Sequence, residues 1–246
     1  YVNNNGNLTF DSPLSAYSPD PIRQIRNEMI TAFWADVDTS GLLSNLVTYG
    51  NTTIEGRRAF CRNYVNVGYY DANDDRLNSF QIVLVDRSDT GSGNFDIAFN
   101  YERILWETGD ASGGTNGFGG VSGRVGYTNG TGLADTSFEL PGSGVRGDFL
   151  DSSSNALVRR FLSSNIPGRL LFPVRNGVLR SSITANPISL VLRASGSTPV
   201  YPPAQSLSIS SNGGQVQYNL VKASASNGGN WLSASNLGTG FTPGTL

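Results

Sequence analysis

The chain has 246 residues and a net charge of −2, so it lacks the basic surface that binding to nucleic acids or anionic lipids requires. It contains no histidine, which removes the commonest general base and metal ligand, and its one cysteine, Cys61, rules out an intramolecular disulfide. Thirty glycines and only 15% charged residues indicate turn-rich β-structure, and no apolar run reaches the length of a membrane span.

The first third of the chain is predicted to contain two hairpins, a short helix and a buried strand. Tyr1–Phe10 places an Asn-Gly turn between two short strands, which favours a β-hairpin. Arg23–Met29 has apolar residues at helical spacing and predicts one short amphipathic helix. Ile30–Asp38 is apolar up to an acidic end and predicts a buried strand, and residues 46–49 and 58–67 predict a second hairpin around the turn residues between them.

The centre of the chain predicts a long antiparallel hairpin. Phe80–Val85 is a nearly continuous apolar run, as expected for a strand that is buried on both faces. Phe95–Tyr101 alternates between apolar and polar residues, which is typical of a strand with one buried face. Residues 86–94 between them have the glycines and Asx residues of a turn. The expected core consists of Phe33, Trp34, Phe80, Ile82, Leu84, Phe95, Ile97, Phe99 and Trp106.

Several motifs in this order resemble the nidogen-like (NIDO) domain family. They are Tyr1–Phe10, Phe33–Thr39, Asn66–Tyr70, Asn78–Leu84, Phe99–Tyr101, Trp106–Asp110, Phe138–Gly144 and Ser164–Arg169. The resemblance covers residues 1–177 and implies one large, antiparallel, all-β domain of the sandwich type. It also implies an extracellular or cell-surface location in a matrix, mucin-like or adhesive protein, and no enzymatic activity.

The sequence departs from the family pattern in two respects. The strand that usually precedes the YVNNNG element is missing, and so are the cysteine-rich modules of the animal relatives. The second departure favours a secreted protein of bacterial type.

The last part of the chain is expected to hold an extended connector, residues 178–204, and an incomplete second β-sandwich, residues 205–246. Leu207–Ser210 and Val216–Leu220 predict two strands that flank a turn. Together with Trp231–Ser233 they resemble the first half of an immunoglobulin-like module of the BACON type. Such a module has further strands, so this half is not expected to close by itself.

Asp71, Asn73 and Asp75 are the candidate metal ligands, because they follow the D-x-N-x-D start of a calcium loop. Arg76 occupies the place of the loop's glycine, however, and Ile82 occupies the place of its bidentate glutamate. A solvated turn is the alternative interpretation. No cofactor other than calcium is expected.

Two other groups of carboxylates are candidates for cation binding or for acid/base catalysis. Asp36 and Asp38 lie two apart and would share one face of a strand, so they could bind a cation or instead accept backbone N–H groups at the strand end. Glu102, Glu107 and Asp110 could supply the acid/base pair of a glycosidase, but no further sequence signature supports this function.

The sequence favours a structural or adhesive protein over a binding module, and a binding module over a hydrolase. A binding module would bind a glycan or a protein through aromatic side chains in its loops. The candidates for this role are Tyr69, Tyr70, Phe118 and Tyr127. Expected partners are other copies of the chain, surface or matrix proteins, and glycans.

A filament is one form that such a structural protein could take. The first domain is expected to lack its first strand, and the second is expected to lack several of its last strands. An extended segment of another copy could take the place of a missing strand. The alternative is that the sequence is an excerpt of a longer multidomain protein.

Overall fold

In the computed structural model, β-strands are the main secondary structure of the described residues. The described residues are 1–133 and 136–176, together with the strand segments 178–179, 183–186, 208–211, 217–220, 238–241 and 244–245. The chain forms two compact units, residues 1–180 and 181–246. Among the described residues, no helix is long and apolar enough to cross a membrane.

The described residues of unit 1 form twelve strands and several short 3-10 turns. The strands are β1 (Asn7–Thr9), β2 (Glu28–Trp34), β3 (Val37–Asp38), β4 (Thr48–Ile54), β5 (Arg57–Tyr69), β6 (Asn73–Asp86), β7 (Phe95–Arg103), β8 (Arg124–Asn129), β9 (Ser137–Glu139), β10 (Phe161–Leu162), β11 (Arg169–Arg175) and β12 (Val178–Leu179). The 3-10 turns are Ile22–Gln24, Ser88–Thr90, Asp110–Ser112 and Leu157–Arg159.

These strands form two sheets. The small sheet has four strands in the order β1-β2-β8-β9. The large sheet has eight strands, with the path β10-β11-β7-β6-β5-β3, and β12 and β4 pair with β11 and β5 respectively. All pairings are antiparallel except that of β10 with β11. The all-β sandwich architecture expected from the sequence is therefore confirmed.

The main core lies between the two sheets. Val125 and Tyr127 of the small sheet are buried in one cluster with Phe80, Phe99 and Phe172 of the large sheet. The rings of Phe99 and Phe172 are 5.3 Å apart, and those of Tyr127 and Phe172 are 5.5 Å apart in an edge-to-face arrangement. Aromatic pairs at these distances add to the stabilisation that comes from burial.

The central hairpin predicted from the sequence is confirmed as β6 and β7, which pair from Ser79 with Arg103 to Asp86 with Phe95. Within the expected core, Leu84 and Phe95 are only partly buried and pack against its margin. Trp34 lies in a separate cluster with Ile22 and Met29.

The prediction of a helix at residues 23–29 is wrong. Only Ile22–Gln24 makes a 3-10 turn, and β2 already begins at Glu28. β2 pairs with β1 on one side and with β8 on the other. These pairings outweigh the weak helical pattern, because a short isolated helix is only marginally stable.

The second predicted hairpin forms as β4 and β5, but with a tighter turn than expected. Only Glu55 and Gly56 connect Ile54 to Arg57, and both turn residues have positive φ angles, 49° and 79°. This is the geometry of a type I′ turn, whose twist matches that of the two strands. Cys61 lies within β5, and burial raises the pKa of its thiol.

The described residues of unit 2 form five short strands. They are β13 (Ile183–Asn186), β14 (Ser208–Ser211), β15 (Gln217–Leu220), β16 (Gly238–Phe241) and β17 (Gly244–Thr245). β14 pairs with β13 and β17, whereas β15 pairs with β16. Strands therefore occur at both predicted places, and Trp231–Ser233 lies outside the described residues.

Candidate functional site

Most of the candidate residues meet at one corner of unit 1. The link between β2 and β3, the turn between β5 and β6, and the loop from Ile104 to Gly123 come together there. The backbone of Tyr70 connects all three segments: its N–H donates to the carbonyl of Asp36 at 3.1 Å, and its carbonyl accepts from the N–H of Asp110 at 2.8 Å. We call this region the acidic corner.

Asp38 has a structural role in the acidic corner. Its Oδ1 accepts from the Ser40 N–H at 2.8 Å and from the Ser40 hydroxyl at 2.6 Å, while Oδ2 accepts from the Ala72 N–H at 2.9 Å. Burial acts to raise the pKa of Asp38, but these hydrogen bonds outweigh it and hold the pKa below its ordinary value. Asp38 thus ties the β5–β6 turn to the end of β3, which is the strand-end role that the sequence offered as an alternative to cation binding.

Asp36, in contrast to Asp38, has a buried carboxylate oxygen that accepts no hydrogen bond. Its residue is only 6% exposed, and its Oδ2 is buried without a hydrogen-bond partner. Gly109 lies directly against the carboxylate, since a Cβ at this position would come within 2.6 Å of Oδ2. Burial raises the pKa of Asp36 to about 6, and the negative charges of Asp38 and Asp110 add to the increase.

The three predicted calcium ligands are not arranged as a calcium loop. Asp71 is exposed in the turn, whereas Asn73 and Asp75 belong to β6. Asp75 accepts from the Tyr69 hydroxyl at 2.7 Å and pairs with Arg76. Among the described residues, no group of three or more acidic, histidine or cysteine side chains could hold a metal ion. Calcium binding through this triad stays a prediction.

The four candidate aromatic residues divide into a buried pair and an accessible pair. Tyr69 and Tyr127 belong to the main core, and burial raises the pKa of Tyr69 to about 12, with its hydrogen bond to Asp75 contributing further. Tyr70 is 42% exposed at the turn. Phe118 is partly buried, with the guanidinium of Arg76 5.0 Å from its ring centre. Tyr70 and Phe118 are therefore the members of this set whose rings a ligand can reach.

The three carboxylates considered for glycoside hydrolysis are in different environments. Glu107 is buried, and it accepts hydrogen bonds from the Ser122 hydroxyl at 2.7 Å and from the Gly147 and Gly119 N–H groups at 2.6 and 3.3 Å. Glu102 and Asp110 are exposed. Glu107 thus holds two loop segments together, and its oxygens are already occupied by protein donors.

The glycine-rich stretch from 113 to 120 forms part of the corner and caps the core. Its turns are so tight that a Cβ at Gly120 would come within 2.5 Å of the Ser112 carbonyl. The Glu107 N–H donates to the Gly117 carbonyl at 2.9 Å, which places Gly117 over Trp106 and Tyr69. The stretch therefore covers the aromatic end of the core.

Sequence reasoning did not anticipate the contact between Asp36 and Gly109. The two residues are far apart in the chain, and the strand pattern alone predicts only that Asp36 and Asp38 share a face. The structure shows instead that one carboxylate is saturated with donors and the other has none. The only local signal is Gly109 in the WETGD motif, because a glycine allows another group to approach the backbone closely.

Comparison with known proteins identifies the family. A family model described as the nidogen-like domain matches residues 1–53 and 42–176. Mouse alpha-tectorin is 32% identical over 203 residues, which cover 71% of this chain and 8% of that protein, and human alpha-tectorin is 31% identical with the same coverage. Nidogen from Drosophila melanogaster is 29% identical over 181 residues, covering 61% of this chain and 13% of that protein.

The chain thus spans only a small part of the length of these relatives. No solved structure matches it significantly. The family match includes both sheets of unit 1 as far as β11 and all three segments of the acidic corner. On this evidence, the chain belongs to the nidogen-like domain family.

Proposed function

We propose that this protein is a non-enzymatic structural or adhesive component of an extracellular matrix or cell surface. The observation that carries the proposal is the nidogen-like family match across unit 1. The relatives named alpha-tectorin and nidogen contain the same domain within much longer chains. Matrix and surface proteins, including other copies of this chain, are the partners we expect.

The environment of Glu107 supports a non-enzymatic role. A general acid must reach the substrate oxygen that it protonates. Glu107 is buried, and its carboxylate accepts three hydrogen bonds from Ser122, Gly119 and Gly147. The geometry therefore suits a structural carboxylate better than a catalytic one.

Retention on an extracellular matrix tests the proposed role. Labelled full-length chain should bind saturably to a cell-free matrix, and heat-unfolded chain should not. In parallel, the chain should turn over no polysaccharide, ester or peptide substrate. Turnover that is abolished by Glu107→Gln, together with no retention on the matrix, would contradict the proposal.

A second candidate function is recognition of a glycan or protein ligand at the acidic corner. It is favoured by the accessible ring of Tyr70 beside the Phe118–Arg76 pair. Exposed aromatic rings suit the apolar faces of sugars and the side chains of partner proteins. Calcium bound at Asp71 is an optional part of this proposal.

Two matched substitutions separate this site from the rest of the surface. Tyr70→Ala should weaken retention on the matrix, or binding to a glycan array, by about tenfold, which corresponds to the loss of one good aromatic contact. Tyr17→Ala is the control, because Tyr17 is 47% exposed and Tyr70 is 42% exposed. Equal effects of the two substitutions would exclude the acidic corner as the binding site.

A filament assembled by strand exchange is a finer form of the structural proposal. Among the strands described in unit 2, β15 and β16 pair only with each other, so each has an edge that a strand from another copy could occupy. Electron microscopy of the full chain tests this proposal. Fibres that disappear when residues 205–246 are deleted would support it, and an absence of fibres at high protein concentration would contradict it.

A further inference from the structure

One edge of unit 1 has no charge over a long stretch. Residues 39–54, with the sequence TSGLLSNLVTYGNTTI, contain no Asp, Glu, Lys or Arg. Leu42 is 99% exposed, Tyr49 is 66% exposed, and Leu43 and Leu46 are also exposed. Single exposed apolar residues are ordinary, whereas a contiguous group marks an interaction surface. We call residues 39–54 the neutral edge.

The neutral edge contains β4, which is an open edge strand. All seven residues of β4 are exposed, and among the described strands it pairs only with β5. Natural proteins usually protect such a strand with lysines, a proline or a bulge. β4 contains neither a charged residue nor a proline, and its pairing with β5 runs from Thr48 to Ile54 without a shift of register.

The turn at Glu55–Gly56 determines which backbone groups of β4 are free. A type I′ turn closes with a hydrogen bond between the residues that flank it, so Ile54 and Arg57 form a hydrogen-bonded pair. Antiparallel pairs alternate between hydrogen-bonded and non-hydrogen-bonded. The N–H and C=O groups of Tyr49, Asn51 and Thr53 therefore point away from β5.

We propose that β4 of one copy pairs antiparallel with β4 of a second copy, across a two-fold axis at Asn51. In this register Asn51 faces its own equivalent and Tyr49 faces Thr53 of the other copy. The outward N–H and C=O groups of Tyr49, Asn51 and Thr53 then all form hydrogen bonds between the two copies. A shifted register would leave some of them unpaired. The inference deepens the proposed structural role and rests on it, because it specifies the surface through which copies associate.

The composition of the neutral edge is the reason for choosing a second copy as the occupant. Like charges directly opposite each other destabilise a sheet, and a charged edge therefore resists pairing with itself. Residues 39–54 bring no charges into the two-fold contact. The contact also aligns an aromatic residue with a β-branched one, Tyr49 with Thr53, which is a favourable cross-strand combination.

Sedimentation velocity over a concentration series tests the contact with the full chain. We expect a monomer–dimer equilibrium for the wild type. Asn51→Pro should raise the dimer Kd by roughly tenfold or more, because it removes an N–H donor of each copy at the two-fold axis. The substitution leaves the bonds between β4 and β5 intact, and an unchanged melting temperature of the diluted monomer would show this.

A disulfide at the axis tests the register. Residues in a hydrogen-bonded antiparallel pair have Cα atoms about 5.5 Å apart, which lies within the range that a disulfide spans. Asn51→Cys in a Cys61→Ser background should therefore form a covalent dimer under mild oxidation. Ser154→Cys in the same background is the control, because Ser154 is also exposed but lies on another loop.

The outcomes separate this inference from the proposed function. A chain that stays monomeric at all concentrations, or a dimer that is unaffected by Asn51→Pro, would overturn the β4 contact. If that chain were still retained on the matrix, the structural role would stand without it. Equal cross-linking of Asn51→Cys and Ser154→Cys would likewise overturn the proposed register.

Discussion

β7 and β4 belong to the same sheet, but their surroundings differ. β7 lies between β6 and β11, and its residues Ile97, Phe99 and Tyr101 are buried in the main core. β4 has β5 on one side, and all of its residues are exposed. The comparison shows that strands of similar length serve different purposes. The centre of the sheet supplies the stability of the domain, while the edge strand keeps backbone groups that no described strand pairs with.

The largest effect is expected at the centre. Phe99 is fully buried against Phe172, so Phe99→Ala removes a ring and leaves a cavity. The free energy of unfolding should fall by about 3–5 kcal/mol, measured by urea denaturation. A loss below about 1 kcal/mol would show that the core does not lie between the two sheets.

A smaller loss is expected where the corner loops are held together. Glu107→Ala removes the acceptor of three hydrogen bonds, from the buried Ser122 hydroxyl and from the Gly119 and Gly147 N–H groups. We expect the free energy of unfolding to fall by about 2–3 kcal/mol. Glu102→Ala, on the exposed side of β7, is the matched control and should change it little. Similar losses in both variants would contradict a structural role for Glu107.

The pH dependence of stability should reveal the unpaired carboxylate of Asp36. Its pKa of about 6 in the folded protein lies above the ordinary value of 3.8, so the folded protein binds more protons than the unfolded chain between these pH values. The contribution of Asp36 to stability is therefore present at low pH and is lost as the pH rises through 6.

Asp36→Asn removes the free-energy cost of burying the Asp36 charge. We expect it to raise the free energy of unfolding by about 2 kcal/mol at pH 7.5 and by less than about 0.5 kcal/mol at pH 4. Asp38→Asn is the control and should destabilise the protein at pH 7.5, because its single amide oxygen cannot accept from both Ser40 and Ala72. A gain from Asp36→Asn that does not depend on pH would show that the buried charge of Asp36 is not its cause.

The smallest effect on stability is expected at the edge. The side chain of Asn51 is exposed, and it makes no hydrogen bond within the described part of the chain. Asn51→Lys should change the free energy of unfolding by no more than about 0.5 kcal/mol. It should nevertheless weaken the proposed dimer, because it places two like charges at the axis. A loss comparable to that of Phe99→Ala would remove the distinction between centre and edge.

The sequence predicted the centre of the fold better than its margins. Alternation in Phe95–Tyr101 identifies β7, because a half-buried strand needs only local periodicity to be recognised. Phe33 and Trp34 were both expected in the main core, yet successive residues of a strand point to opposite faces. Trp34 accordingly lies with Ile22 and Met29 on the other side of the small sheet.

The acidic corner could be predicted only in part. The acidic residues of the β3 end and the β5–β6 turn are visible in the sequence, and so are the aromatic residues beside them. Their partners come from distant segments: Ala72 binds Asp38, and Gly109 packs against Asp36. Burial of Tyr127 likewise depends on contacts with Phe138 and Phe172. Such contacts follow from the topology, which no local pattern specifies.

Native-state hydrogen exchange, resolved by residue and measured at low and high protein concentration, tests the central claim most directly. The amides of β6 and β7 should exchange only through global unfolding at both concentrations. The amides of Tyr49, Asn51 and Thr53 should exchange rapidly in the dilute monomer and become protected as the concentration rises. Protection of these three amides that equals that of β7 in the dilute monomer, or that never responds to concentration, would contradict the account of a stable centre and a contact-forming edge.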